Sequence, residues 1–333
     1  MSNPNHKNKA GIISSFAISS VLIALSIFFV ANKQYIVDQI AVWQYQPTSE
    51  VSDLVDRSGM NEAGKFVYLA SRPKLDATQD FNAECDRVEF VTSILGCYSG
   101  SRIFVYDVTD SQLDGIREVT ATHETLHAIY ARMGDSEKQK INRLVEVEYK
   151  KLENDKDFAE LMAFYSRTEP GQRDNELHSI IGTEVATIAP ELETYYAKYF
   201  TDRQKVVSLN SKYSEVFKSL KLRADELLGQ YNSLNASISS GLDRYNADVA
   251  AFNNDAISFK QRAESGGFSS QAQVNSEWYS LSARSSQLAA TRAVLENDTK
   301  QRDSILAEYN SIASQSKKLY NVIDSSLAPA PSV

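Results

Sequence analysis

Basic runs are missing from this chain. Its 333 residues carry a formal net charge of −8 and a pI near 5.2. No cluster of lysine and arginine supplies the footprint that a nucleic-acid partner requires, so that partner class is excluded. Cysteine is almost absent as well. Cys85 and Cys97 are the only two, which rules out a disulfide-stapled scaffold and a metal site built on several thiolates. Histidine is confined to His6, His123, His127 and His178. Across residues 201–327 glycine and proline nearly vanish, which excludes a turn-rich β architecture there. No repeat with the length of a known solenoid unit is present.

Charge is wholly missing from residues 11–31, GIISSFAISSVLIALSIFFVA. A run of about twenty apolar residues spans the hydrocarbon core of a bilayer as a helix. Lys7 and Lys9 precede it and no acidic residue does. The positive-inside rule therefore places residues 1–10 in the cytoplasm and the bulk of the chain, from about Lys33, outside. A cleaved signal peptide would carry a shorter apolar region and a clear small-x-small site near Val30 and Ala31. The expectation is an uncleaved signal anchor and a single-pass protein. In an oxidising compartment Cys85 and Cys97, separated by a short strand-and-turn segment, are expected to form one disulfide; two buried free thiols are the alternative.

Two of the four histidines fall at one spacing. His123-Glu124-Thr125-Leu126-His127 is an HExxH motif, and Ile116, Val119, Leu126, Ile129 and Met133 form an apolar stripe that puts it on a helix ending near Gly134. Residues four apart project from one helix face, so both imidazoles can grip a single Zn²⁺. Glu124 then lies beside the metal, where its carboxylate can act as general base toward the attacking water. A catalytic zinc needs a third protein ligand. His6 lies on the cytoplasmic side, so the decision falls to residues 175–184, NELHSIIGTE. As a helix, that segment shows Glu176, Ile180, Thr183 and Glu184 on one face, and either glutamate can aim at the metal. Ser179, Gly182 and Ala186 are small enough to let it approach the HETLH helix closely.

Short strands are expected around the turn-rich residues 96–100, at 88–91 and at 102–108. Asp110 and Ser111 are candidate caps for the HETLH helix. A helix from Ser136 to Leu152 follows, then a break at Glu169-Pro170-Gly171, a helix over residues 176–188 capped by Asp174 or Asn175, and a short helix over 191–200. From about Thr201 apolar residues recur at steps of three and four, through Tyr213, Phe217, Leu220, Ala224, Leu227, Tyr231, Leu234 and Ile238. The seam continues to Phe259, stops at Gly266-Gly267 and resumes through Val274, Trp278, Leu281, Leu288, Leu295, Leu306, Tyr309, Leu319 and Ile323. Two heptad-patterned helices around one Gly-Gly break predict an antiparallel coiled-coil hairpin, with arms of roughly 80 Å at 1.5 Å rise per residue.

HETLH followed by a helix bearing glutamate resembles the gluzincin branch of zinc metallopeptidases. In that branch the third ligand often comes from an NExxS/D-type helix. Asn175-Glu176-Leu177-His178-Ser179 is similar to that pattern, which implies Glu176. Ile180 stands where thermolysin-like members carry a histidine-orienting aspartate, and this keeps Glu184 open as a supporting residue or as the ligand itself. The resemblance covers about residues 88–200. It also implies an edge strand upstream of the metal helix that pairs with extended peptide, at residues 102–108. An oxyanion donor is expected nearby, with His178, Tyr195 and Tyr196 as candidates. The motif series as a whole is similar to bacterial single-pass membrane proteins, a likeness that carries no activity.

The expected fold is thus α+β. It comprises a cytoplasmic N-terminus (1–10), a transmembrane helix (11–31), a juxtamembrane segment (32–72), and a zincin-like domain of short antiparallel sheet plus active-site helices (73–200). The coiled-coil hairpin (201–327) and a disordered tail (328–333) complete it. The expected function is that of a membrane-anchored extracytoplasmic zinc metallopeptidase acting on protein or peptide, with the hairpin available for a protein partner or self-association. Two alternatives stand beside it: a surface structural or adhesion protein with a weak zincin domain, and a zinc-dependent cell-wall amidase.

Overall fold

Helix α1 (Asn5–Ala31) carries the charge-free run and gives way at Asn32 to α2 (Lys33–Gln44). The computed structural model describes residues 5–85, 94–168 and 170–325; the strand expected at 88–91 and the tail at 328–333 lie outside them. Among the residues whose side chains are described, no single helix is long and apolar enough to cross a membrane. Ala17–Ala31 and Lys33–Gln44 meet that criterion only as a pair bent by 70°.

Helices α3 (Ser49–Arg57) and α4 (Glu62–Ala70) follow, and each is opened by a side chain that takes its first amides. Thr48 accepts from Val51 N, and Asn61 accepts from Ala63 N and Gly64 N. The apolar residues they present, Val51, Leu54, Val55, Val67 and Tyr68, are buried in the main core with Leu126, Ile129, Leu177 and Ile181. Residues 49–70 are therefore part of the domain, which corrects their placement in a separate juxtamembrane segment: their spacing suits two short amphipathic helices, and burying that surface stabilises the fold.

Strand β1 (Lys74–Asp76), helix α5 (Thr78–Glu84), and strands β2 (Gly96–Ser99) and β3 (Arg102–Tyr106) form the only sheet among the described residues. Its order is β1-β3-β2. β1 runs parallel to β3, with Leu75 opposite Val105, and β2 runs antiparallel, with Cys97 opposite Phe104. The sheet is mixed where an antiparallel one was expected. Residues 102–106 form its middle strand, so they are not an edge open to substrate; Ile103, Phe104 and Val105 are all buried. β1 and β2 are its edge strands among the described residues. Cys85 and Cys97 are joined in a disulfide, with Cα atoms 5.9 Å apart, which ties the end of α5 to β2.

Five helices complete this unit: α6 (Ile116–Arg132), α7 (Asp135–Leu152), α8 (Lys156–Thr168), α9 (Arg173–Glu184) and α10 (Pro190–Tyr196). Asp110 caps a short 3-10 turn at Ser111–Leu113, not α6, which opens from Gly115. Nor do Asp174 and Asn175 cap α9, because the helix starts ahead of them at Arg173. The end of α9 is satisfied from a distance. Arg203, 3% exposed, donates to Val185 O at 2.7 Å and Ala186 O at 3.2 Å, and pairs with Glu193 at 2.8 Å. A cation there neutralises the carbonyl end of the helix and fills acceptors that have no partner within it. Replacing Arg203 by methionine is expected to cost about 1–3 kcal/mol, because carbonyls at the end of α9 lose their donor. Urea unfolding of the variant measures that loss.

Helices α11 (Gln204–Glu264) and α12 (Gln271–Ile323) contain a second compact unit, Phe217–Leu319. The chain reverses at Gly266-Gly267, and the two arms run antiparallel: Arg223 pairs with Glu308, Asp255 with Arg284, and Arg262 with Glu277. Gly241 is close enough to the opposite arm that an added Cβ would lie 2.7 Å from Leu295 Cδ2. In α12 the register differs from the apolar spacing. Trp278 and Leu306 are exposed, while their neighbours Glu277 and Ile305 turn inward. Glu277 and Arg284 reach the opposite arm through ion pairs on that face.

Candidate metal centre

Helix α6 is buried along almost its whole circumference. Ile116, Val119, Leu126, Ile129 and Met133 are all buried, as the apolar stripe predicts. Its threonines meet the core with their hydroxyls returned to the helix: Thr120 donates to Ile116 O and Thr125 to Ala121 O. Helix α9 packs across it at close range. A Cβ on Gly182 would lie 2.4 Å from Leu126 Cδ1 and 2.9 Å from the Tyr196 ring. Only glycine permits this approach, and it brings Glu176 against the two histidines.

His123, His127 and Glu176 offer one donor atom each, all within 4.8 Å of one another. Glu176 Oε2 lies 3.6 Å from His123 Nε2, and Glu176 Oε1 lies 3.3 Å from His127 Nε2. Donors held about 2.0–2.2 Å from a tetrahedral ion are about 3.3–3.6 Å apart. One nitrogen from each imidazole and the Glu176 carboxylate, all within 4.8 Å of one another, could hold a metal ion. Glu184 lies outside this group. Its carboxyl is pushed up to about 7, first by burial and then by the Glu176 charge. Of the two glutamates that the helix wheel left open, Glu176 is the one brought to the histidines.

The His127 ring is prepared for a metal on one side. Ser179 Oγ lies 3.2 Å from His127 Nδ1, so the hydroxyl can accept the Nδ1 proton while Nε2 faces Glu176. Ser179 thereby supplies, from the preceding position, the orienting group that Ile180 cannot. Removing it as Ser179→Ala is expected to weaken binding of a divalent metal about 10–100-fold with little change in fold, measurable by competition with a chromogenic chelator. Burial also lowers the His127 pKa to about 4, although Glu176 opposes that shift. The imidazole is therefore neutral, as a ligand must be.

Glu124 is buried beside this group. Strand β2 passes directly over it: a Cβ on Gly96 would sit 2.6 Å from Thr120 Cγ2 and 2.9 Å from Glu124 Oε1. The edge strand thus begins at the one residue that can lie on the candidate base without displacing it.

His178, Tyr195 and Tyr196 are placed otherwise than as donors to a developing charge. His178 Nε2 lies 2.7 Å from Tyr195 Oη, and Tyr196 Oη donates to His178 O at 2.6 Å. Each ring is buried, and His178 stacks on Tyr196. These contacts lock α9 to α10. Burial, with a smaller contribution from the neighbouring histidines, lowers the His178 pKa to about 3. Unfolded histidine takes a proton near 6.5. The unfolded chain therefore binds more protons than the fold between about 6.5 and about 3, and stability falls as pH falls through that window. For metal-free protein, the urea midpoint is expected to drop between about pH 7 and about pH 5, and to drop less in His178→Gln.

One group near the site has no signal in local sequence. Arg132, the last residue of α6, makes a two-point pair with Asp38 of α2, Nε to Oδ2 at 2.9 Å and Nη2 to Oδ1 at 2.8 Å. The same guanidinium donates to Tyr98 Oη of β2 at 3.2 Å. It connects the helix after the apolar run, the metal helix and the edge strand. Comparison with protein-family models, with curated proteins and with solved structures finds no match.

Proposed function

We propose that this chain is a membrane-anchored zinc metallopeptidase of gluzincin type, acting on protein or peptide outside the cytoplasm. The observation that carries the reading is the meeting of His123, His127 and Glu176 at metal-ligand separations, with Glu124 buried beside them. A zinc ion held there lowers the pKa of water and polarises a carbonyl. Glu124 takes the proton of the attacking water and passes it to the leaving amine. β2, an edge strand among the described residues, holds an extended peptide by strand addition, with Gly96 leaving room between that strand and Glu124. Residues 11–31 anchor the chain, and the disulfide Cys85–Cys97 suits an oxidising compartment.

The test is zinc content and cleavage of casein and of a peptide mixture by the full chain in detergent, with Glu124→Gln alongside. Bound zinc with cleavage that depends on Glu124 supports the reading. A second reading, a surface structural protein with an idle metal site, is favoured by the 61 and 53 residues given to α11 and α12. Bound zinc with no cleavage of any substrate moves the assignment there.

A further inference from the structure

Helix α2 has two unlike faces. One is built into the domain: Asp38, 4% exposed, takes the two-point pair from Arg132, and the Tyr35 ring packs 5.8 Å from that of Phe66 on α4. The other face is open and apolar along its middle, with Lys33 and Gln44 on the same side at its two ends. Val37 is 51% exposed, Ile40 48% and Trp43 84%, and at 100° per residue these three share one side of the helix with the half-buried Ile36. On this helix of twelve residues the open face is the side opposite the buried ion pair, and contiguous exposed apolar surface is the mark of an interaction site.

The occupant follows from what precedes it. Residues 11–31 carry no charge, and α1 ends one residue before α2 begins. The axis turns by 70° at that break. If α1 stands along the membrane normal, α2 runs within about 20° of the membrane plane. It cannot lie in the hydrocarbon, because Asp38 and Arg132 would then be carried in as charges. An in-plane helix with an apolar lower face, Lys33 at its membrane end and tryptophan at the far end is the pattern of an interfacial segment.

We propose that α2 is an interfacial helix whose Val37, Ile40 and Trp43 side chains bed into the boundary between lipid headgroups and acyl chains. In doing so it seats the metal-bearing domain on the bilayer surface. Through Asp38 and Arg132 the metal helix α6 is fixed to that seat, and through Tyr98 so is the edge strand β2. The site is then held at the membrane, within reach of chain segments that emerge from it. This inference rests on the reading of residues 11–31 as a membrane anchor.

The full chain carrying W278F, which leaves Trp43 as its only tryptophan, is reconstituted into phosphatidylcholine–phosphatidylglycerol vesicles with and without lipid brominated on the upper acyl carbons. A second variant, W43F/W278F/F29W, reports the anchor. The expected result is loss of most emission from both tryptophans in brominated vesicles, and recovery of the Trp43 signal when Ile40→Asp is added. Quenching of the anchor tryptophan with none at Trp43 overturns the interfacial helix and leaves the anchor standing. Quenching at neither overturns both.

Discussion

Glu124→Gln is expected to lower peptide hydrolysis about 10²–10⁴-fold while zinc content stays unchanged. The range is what a positioned general base contributes. The substitution keeps the volume of the side chain and removes only its ability to take a proton, which suits a residue that is 6% exposed and overlain by Gly96. Glu124 is absent from the group of candidate ligands, so metal retention separates loss of the base from loss of the site. The loss should fall on kcat far more than on KM, because the proton transfer is made only in the transition state. Undiminished cleavage by Glu124→Gln would sink the proposed chemistry.

Glu176→Ala should have the largest effect on the metal itself. This carboxylate is 1% exposed and reaches both histidines, one with each oxygen. Its removal leaves two imidazoles on one helix without the third donor of the group. Zinc affinity is expected to fall beyond the roughly 10–100-fold that loss of a supporting residue costs. Glu184→Ala should keep most of its zinc, since Glu184 stands outside the donor group. Isothermal titration of metal-free protein compares the two, and the reverse ranking would reassign the third ligand.

What could be read from the sequence was local and periodic. The HETLH helix, its buried stripe from Ile116 to Met133, the helix from 135 to 152 and the reversal at Gly266-Gly267 all follow from spacings of a few residues, which a single strand of text records. Cys85 and Cys97 were legible for another reason: a chain with two cysteines has one possible internal bridge. The third ligand was legible only as a choice between Glu176 and Glu184, because the helix wheel does not say how far along α9 the metal lies. Gly182 settles that distance by letting the helices touch near Leu126.

Apart from the helix starts at Gly115 and Arg173, what was missed depends on contacts distant in sequence. The pair Asp38–Arg132 spans 94 residues, and Asn61 reaches Lys198 O across 137. Nothing near Arg203 announces that it will close the end of α9. The middle position of β3 depends on the parallel partner Lys74–Asp76, three residues too short to stand out. In α12, apolar spacing alone placed Trp278 and Leu306 on the seam, whereas the adjacent Glu277 and Ile305 turn inward. Periodicity reports which residues are apolar, whereas register is decided by both helices together.

The central claim is that His123, His127 and Glu176 hold one metal ion. Its most direct test is the zinc content of purified full chain after loading and removal of free metal, with His127→Ala measured beside it. One zinc per chain in the unaltered protein and none in the variant is the predicted result. No zinc in the unaltered chain, or equal zinc in both, would contradict it.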